Sequence, residues 1–360
     1  MNTDSTAILA ARYKLKELKV LTADPQVLTL RYSPDGKFLV AGGYDARVRR
    51  WDATQDDLPE LAALAGHQGW TQAIAFAPDG ATIFTGDSWG ELRAWPLANA
   101  EPKPKPTWKI SAAHEGWIRD ATMNRDGSLL ATCGSDRTVR LWNPTDGAPL
   151  ATLQGDNDDL YVVRFSPDGL QLLAGDRLGR VWQWEVATRK LVRTLDATAL
   201  YKLDRIQDVG GVRTLAFDRA GKQLAVGGMK PKNGATIQGV PALLLFDFAS
   251  GELRQTYDLG GVNDCDLMDV LLHDDGFFIA VTNGGPGQGK IVLQRLTDQE
   301  AFLTETKIAN VQSLTVSPDG KRLAVSGTNR GSNGNGRNLT KDGQYPGNTS
   351  PIHVFALGDA

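Results

Sequence analysis

The chain has 360 residues, more than one average domain's worth, so it holds either two ordinary domains or one large repetitive one. With 41% hydrophobic residues, 22% charged residues and 9 tryptophans it can bury a sizeable core. Surface scaling lets a chain of this size withdraw roughly three quarters of its unfolded area from water. A formal net charge of -3 gives no general attraction to phosphate backbones or anionic membranes, so a general nucleic-acid binder is disfavoured.

Cys133 and Cys265 lie far apart and show neither CxxC nor Cys/His spacing, which indicates no disulfide framework and no zinc site. The first residues offer only a short apolar stretch, Ala7 to Ala11, ahead of Lys14, Lys16, Glu17 and Lys19, which lacks the apolar length and cleavage signature of a secretion signal, so none is expected here. No run approaches the eighteen apolar residues of a membrane span. Taking Met1 as the native start, the chain is expected to be cytoplasmic.

In chain order, a turn of the Pro-Asp-Gly kind between two apolar runs recurs seven times, as SPDGKFLV, APDGATIF, NRDGSLLA, SPDGLQLL, DRAGKQLA, HDDGFFIA and SPDGKRLA. The turn glycines are Gly36, Gly80, Gly127, Gly169, Gly221, Gly276 and Gly320. Pro presets the first turn dihedral and Gly accepts positive φ, so each unit predicts a hairpin between strands such as Val27 to Tyr32 and Phe38 to Ala41. A third run ends at Trp51, Trp95, Trp142, Trp184, Phe246, Gln294 or Phe355, and outer runs such as Glu60 to Leu64, Pro149 to Leu153 and Leu191 to Leu195 follow. Four strands per unit in seven units predict an all-β, seven-bladed propeller. The last unit runs out of sequence for a fourth strand, while Glu17 to Leu21 has no partner, so the N-terminal segment is expected to complete the seventh blade and remove an open edge. The expected blades are 25–66, 67–113, 114–155, 156–197, 198–260, 261–309 and 310–358, the last joined by strand 13–21, in a single propeller over 1–360.

The third unit, AAHEGWIRDATMNRDGSLLATCGSDRTVRLWN, resembles the WD-repeat family, and the resemblance extends over almost the whole sequence as divergent, bacterial-type repeats. It implies a hydrogen-bonded tetrad of His114, Thr132, Asp136 and Trp142, in which a buried imidazole, carboxylate and indole satisfy one another. The set also looks like a hydrolase's Ser/His/Asp constellation, but geometry and not residue type makes a triad, and the expectation is structural. The second unit has His67, Thr85 and Trp95 with Trp89 where the Asp is expected, the fourth has Asp156 and Leu178, and the last three lack the Trp.

Gly284 to Lys290 fits G-x-x-x-x-G-K, yet Ile291 replaces the magnesium-binding hydroxyl and a strand follows where a helix is required, so a plain loop is expected. Asn263, Asp264, Cys265 and Asp266 gather too few oxygens for calcium. His67, His114, His273 and His353 show no paired spacing, and neither a metal, a cofactor nor a catalytic residue is assigned.

The longest loops between second and third strands are Gly228 to Pro241, Asn283 to Gly289 and Gly327 to Ser350, on three adjacent blades and one face. Insertions on one face of a repeat array mark a binding face. Lys230, Lys232, Arg330 and Arg337 give that rim a basic character, and Trp70, Trp117, Arg119, Tyr161, Tyr201 and Lys202 stand where segments enter the inner strands. Aromatics and Arg dominate interface energy. The resemblance implies a non-catalytic platform that binds a protein or peptide on this face. The alternatives are an enzyme or small-molecule or metal binder in the central channel, and a nucleic-acid contact through the basic loops.

Overall fold

The computed structural model describes residues 3–155, 158–233, 238–285, 287–329 and 349–358. All seven turn glycines adopt left-handed backbone, with φ from 66° at Gly221 to 79° at Gly276, a region that side chains with a Cβ enter only under strain. In the first unit Gly36 N donates to Ser33 O at 2.9 Å, closing the turn between Val27–Tyr32 and Phe38–Gly43.

Each hairpin grows into a four-stranded antiparallel sheet, seven in all, arranged as a seven-bladed β-propeller. The first blade is Val27–Tyr32, Phe38–Gly43, Arg47–Asp52 and Glu60–Ala65 from channel to rim. Its second strand shows why apolar runs are continuous where alternation would be usual: Leu39 and Ala41 pack toward blade seven, and Val40 between them packs toward blade two. A strand buried on both faces needs apolar residues at every position. The buried apolar residues accordingly form seven clusters, each lying between two neighbouring blades. One such cluster unites Ala131, Cys133 and Leu141 of blade three with Leu160, Ala174 and Trp184 of blade four.

The ring closes through its two terminal segments. Leu15–Ala23 pairs antiparallel with Ser350–Leu357, from Leu15 opposite Leu357 to Ala23 opposite Ser350, and supplies the outer strand of blade seven. Leu21 and Ala23 enter the cluster shared with blade one, and Ser350 Oγ accepts the Val27 N–H at 2.9 Å. Ahead of this strand lies a helix, Thr3–Arg12, where the sequence predicts no element. Leu9 and Tyr13 dock it on Phe277 of blade six, and Arg12 pairs with Asp275 at 2.7 Å.

Two expectations need correction at blade five. The supposed loop Gly228 to Pro241 is largely strand: Gln223–Asn233 and Gln238–Asp247 continue pairing beyond the blade, Met229 opposite Pro241 and Pro231 opposite Gly239. Burial of Met229 and Val240 gives this projecting ribbon an apolar side, which its Gly and Pro content conceals. Tyr201 and Lys202 do not enter the inner strand, Val212–Phe217. They lie in an added hairpin, Tyr201–Asp204 with Gln207–Gly210, set against the ribbon.

Removing residues 1–24 is expected to leave blade seven with an exposed edge and to cost on the order of 5 kcal/mol through loss of the buried side chains it carries. Thermal melting with size-exclusion chromatography checks this; a truncated protein that melts like the intact one and elutes in the same oligomeric state contradicts closure by this strand.

Candidate interaction site at the channel mouth

In six blades the inner strand opens with a register shift against its neighbour, between Val27 and Thr29, Thr71 and Ala73, Ile118 and Asp120, Leu160 and Val162, Val212 and Thr214, and Leu267 and Asp269. A β-bulge re-aims the extra residue's side chain. The bypassed residues are Leu28, Gln72, Arg119, Tyr161, Arg213 and Met268, and all six line one cavity of about 130 Å³ in the channel, joined by Gln312 of blade seven. The fold thus presents one side chain per blade to the mouth. Each of the seven stands eight residues before its turn glycine, a regular spacing legible in the sequence.

Arg119, Tyr161 and Arg213 are consecutive in this ring. The Arg119 guanidinium lies 4.0 Å from the Trp117 ring centroid and 5.6 Å from that of Tyr161, whose other neighbour is Arg213 at 4.4 Å. Trp117 meets Trp70 edge-on at 5.4 Å, and Trp70 meets Tyr44 at 4.6 Å. An aromatic and cationic arc therefore crosses blades one to five. Trp70 is 43% exposed, and beside it Trp89, over Gly69, is 67% exposed. The repeat pattern marks Trp89 only as a missing Asp, although it is the most exposed aromatic among the described residues with large apolar side chains.

Deeper in the channel the charges are paired. Arg31 donates to Asp269 at 2.9 Å and to Ser313 Oγ at 2.7 Å, tying blades one, six and seven, and Arg164 pairs with Asp120 between blades four and three. Arg119 has no such carboxylate: among the described residues its Nε is buried without a hydrogen-bond partner. Burial pulls its pKa below the ordinary arginine value.

The other candidates lie elsewhere. Tyr201 Oη donates to Asp208 at 2.7 Å, and Lys202 Nζ reaches the Lys232 carbonyl at 3.3 Å, so both brace the blade-five hairpins. Lys230 is neutralised by Asp258, which weakens the expected basic rim. Arg330 and Arg337 lie outside the described residues, as does most of the Gly327 to Ser350 loop. Lys290 of the G-x-x-x-x-G-K stretch pairs with Asp264 at 2.6 Å.

His114 Nε2 lies 2.7 Å from Thr132 Oγ1, His114 Nδ1 lies 2.9 Å from Asp136, and Trp142 Nε1 donates to Thr132 Oγ1 at 2.8 Å. Blade two carries the same arrangement, which corrects the reading that its acid is missing: Asp87, at the end of the second strand, lies 3.1 Å from His67 Nδ1, and Thr85 joins His67 to Trp95 at 2.7 and 2.8 Å. Asp87 also accepts the N–H groups of Gly69, Trp89 and Glu91, so it fixes the loop on which Trp70 and Trp89 stand. His67, Asp87 and Glu91 come close enough together to suggest a metal site, but Glu91 is committed to Arg93 and Asp87 to these amides.

The WD domain, G-beta repeat model matches residues 15–52, 59–95, 104–143 and 147–185. The protein carries four WD repeats. Each begins on the outer strand of one blade and ends on the third strand of the next, as the closure by Leu15–Ala23 requires. The protein is 33% identical over 75 residues to Actin-interacting protein 1 of Drosophila melanogaster, covering 21% of its own length and 12% of that protein. It is 27% identical over 165 residues to Target of rapamycin complex subunit wat1 of Schizosaccharomyces pombe, covering 46% and 50%. It is 32% identical over 81 residues to Serine-threonine kinase receptor-associated protein of Rattus norvegicus, covering 22% and 23%. The match thus spans half or less of the length of each, and these relatives are eukaryotic, so they lend no support to a bacterial type of repeat. No helix among the described residues is long and apolar enough to cross a membrane.

His114→Ala or Asp136→Ala is expected to cost about 1–3 kcal/mol by leaving buried partners unpaired. Acid should act in the same direction. Burial alone would raise the Asp87 pKa, but hydrogen bonds from His67 and the backbone outweigh it and hold it at about 2, against an ordinary 3.8. Burial lowers the His114 pKa against the pull of Asp136. The folded state therefore binds fewer protons than the unfolded one, and stability present at neutral pH falls first below about 6.5, through His114, and again from about 4 toward 2, through Asp87. Melting temperature against pH checks this; a flat profile from pH 7 to 3 contradicts it.

Proposed function

We propose that the face carrying Trp70, Trp89 and the channel mouth binds a protein partner, and that the protein acts as a non-catalytic interaction platform in the cytoplasm. The carrying observation is the arc from Tyr44 through Trp70, Trp117, Arg119 and Tyr161 to Arg213, which crosses consecutive blades and whose last three members are set by the repeated bulge. Large aromatics and Arg at the centre of a rigid face form the pattern of an interface anchor. The WD repeats and the relatives named for an interaction, a complex and an association support this reading. The channel carboxylates Asp120 and Asp269 are engaged by Arg164 and Arg31, which favours a binding role over acid–base chemistry there. We read residues 1–360 as one such unit, with blades five to seven as divergent repeats that keep the turn and lose the Trp. Lys202 and Lys232, on the blade-five hairpins, would form the side wall of the site.

Affinity capture from the source lysate with the intact protein and with the Trp70→Ala/Arg119→Ala double variant tests the proposal. A partner held by the intact protein and lost by a variant that melts alike is the expected result. A partner retained equally by both moves the interface away from this face.

A further inference from the structure

The channel mouth is electrostatically lopsided. Its cavity is lined by four arginines, Arg31, Arg119, Arg164 and Arg213, and two aspartates, Asp120 and Asp269. The two carboxylates belong to the two deeper arginines. Of the upper pair, Arg213 forms a loose ion pair with Asp266 at 3.5 Å, too long for a good hydrogen bond, so Arg213 Nε and Asp266 Oδ1 are charge-paired but keep no hydrogen-bond partner. Arg119 has aromatic rings and, among the described residues, no carboxylate within ion-pair distance and no hydrogen-bond partner for its buried Nε. A guanidinium half withdrawn from water and lacking a partner costs free energy, which a carboxylate supplying two parallel hydrogen bonds would recover. Opposite these arginines the ring is neutral, with Leu28, Met268 and Gln312.

We propose that this mouth selects a peptide segment of the partner bearing a carboxylate, seated between Arg119 and Arg213, beside an apolar residue that packs on Trp70 and Trp89. The inference rests on the top-face reading above. An extended polyanion fits less well, because the Asp159 carboxylate already contributes negative charge at Arg119, and Asp158 and Asp208 flank Arg177 on the same side. A lone small acid would fill the ring but leave the exposed tryptophans uncovered. A peptide reaches both. The carboxylate is an acidic side chain or the peptide's own C-terminus, since the same fork accepts either.

The test probes the full-length protein against an array of random short peptides, each printed with a free and with an amidated C-terminus. Retained peptides should be enriched in Asp or Glu next to an aromatic or aliphatic residue, or should require the free terminus. Arg119→Gln should weaken them about 10- to 100-fold, with Arg119→Lys restoring part of the loss, and raised salt should weaken them further. Peptides held without any carboxylate, and held equally by Arg119→Gln, overturn the inference; if Trp70→Ala still releases them, the top-face reading survives alone. An array on which the intact protein retains nothing overturns both. Melting curves matched to the intact protein confirm that each variant is folded.

Discussion

The last blade of the ring has no outer strand of its own to pair with its third strand, and here that strand comes from the opposite end of the sequence. Leu15–Ala23 against Ser350–Leu357 makes the propeller a closed object. Everything else follows from closure. Each blade can bury both faces only because it has two neighbours, so a sequence of continuous apolar runs, which would be insoluble as a flat sheet, becomes seven inter-blade cores. Closure also fixes the channel: seven inner strands converge on an axis, and the side chains their bulges eject have nowhere to point but the mouth.

The polar chemistry is layered on that frame. Low in the channel, Arg31 with Asp269 and Arg164 with Asp120 join nearby blades around the axis, and their charges cancel. At the rim of blades two and three, a His, a Thr, an Asp and a Trp satisfy one another and hold the loops that carry Trp70, Trp89 and Trp117. Between these two satisfied layers lies the ring of Arg119, Tyr161 and Arg213, where satisfaction is incomplete. Rigid surroundings holding unpaired groups are what preorganised recognition requires, since the cost of ordering is met in folding and not at the moment of binding.

Much of this is legible in the sequence. The seven turn glycines have a mechanical reason to recur, and the spacing between them yields both the blade count and the closing strand. Arg119 stands out because packing alone seldom calls for an arginine. What escapes a reading of the sequence has identifiable causes. Asp87 is hidden because the acid is sought in the turn, four residues after the Thr as in blade three, whereas blade two places it two residues after Thr85, on the strand itself. Arg213, Gln72 and the rest of the ring are hidden because a bulge breaks the two-residue alternation by which strand faces are assigned. The blade-five ribbon reads as a loop because Gly, Pro and Lys dominate its composition; the burial of Met229 and Val240 shows that it is packed.

The central claim is that partners engage the mouth through the arc from Tyr44 to Arg213. Hydroxyl-radical footprinting of the protein alone and in complex with a captured partner addresses this directly, because Trp70 and Trp89 are exposed and oxidise readily. Protection is expected to concentrate at Tyr44, Trp70, Trp89, Trp117 and Tyr161, with the outer strands unchanged. Protection confined to the outer strands or to the turns around Gly36 and Gly169, with both tryptophans oxidised as before, would contradict it.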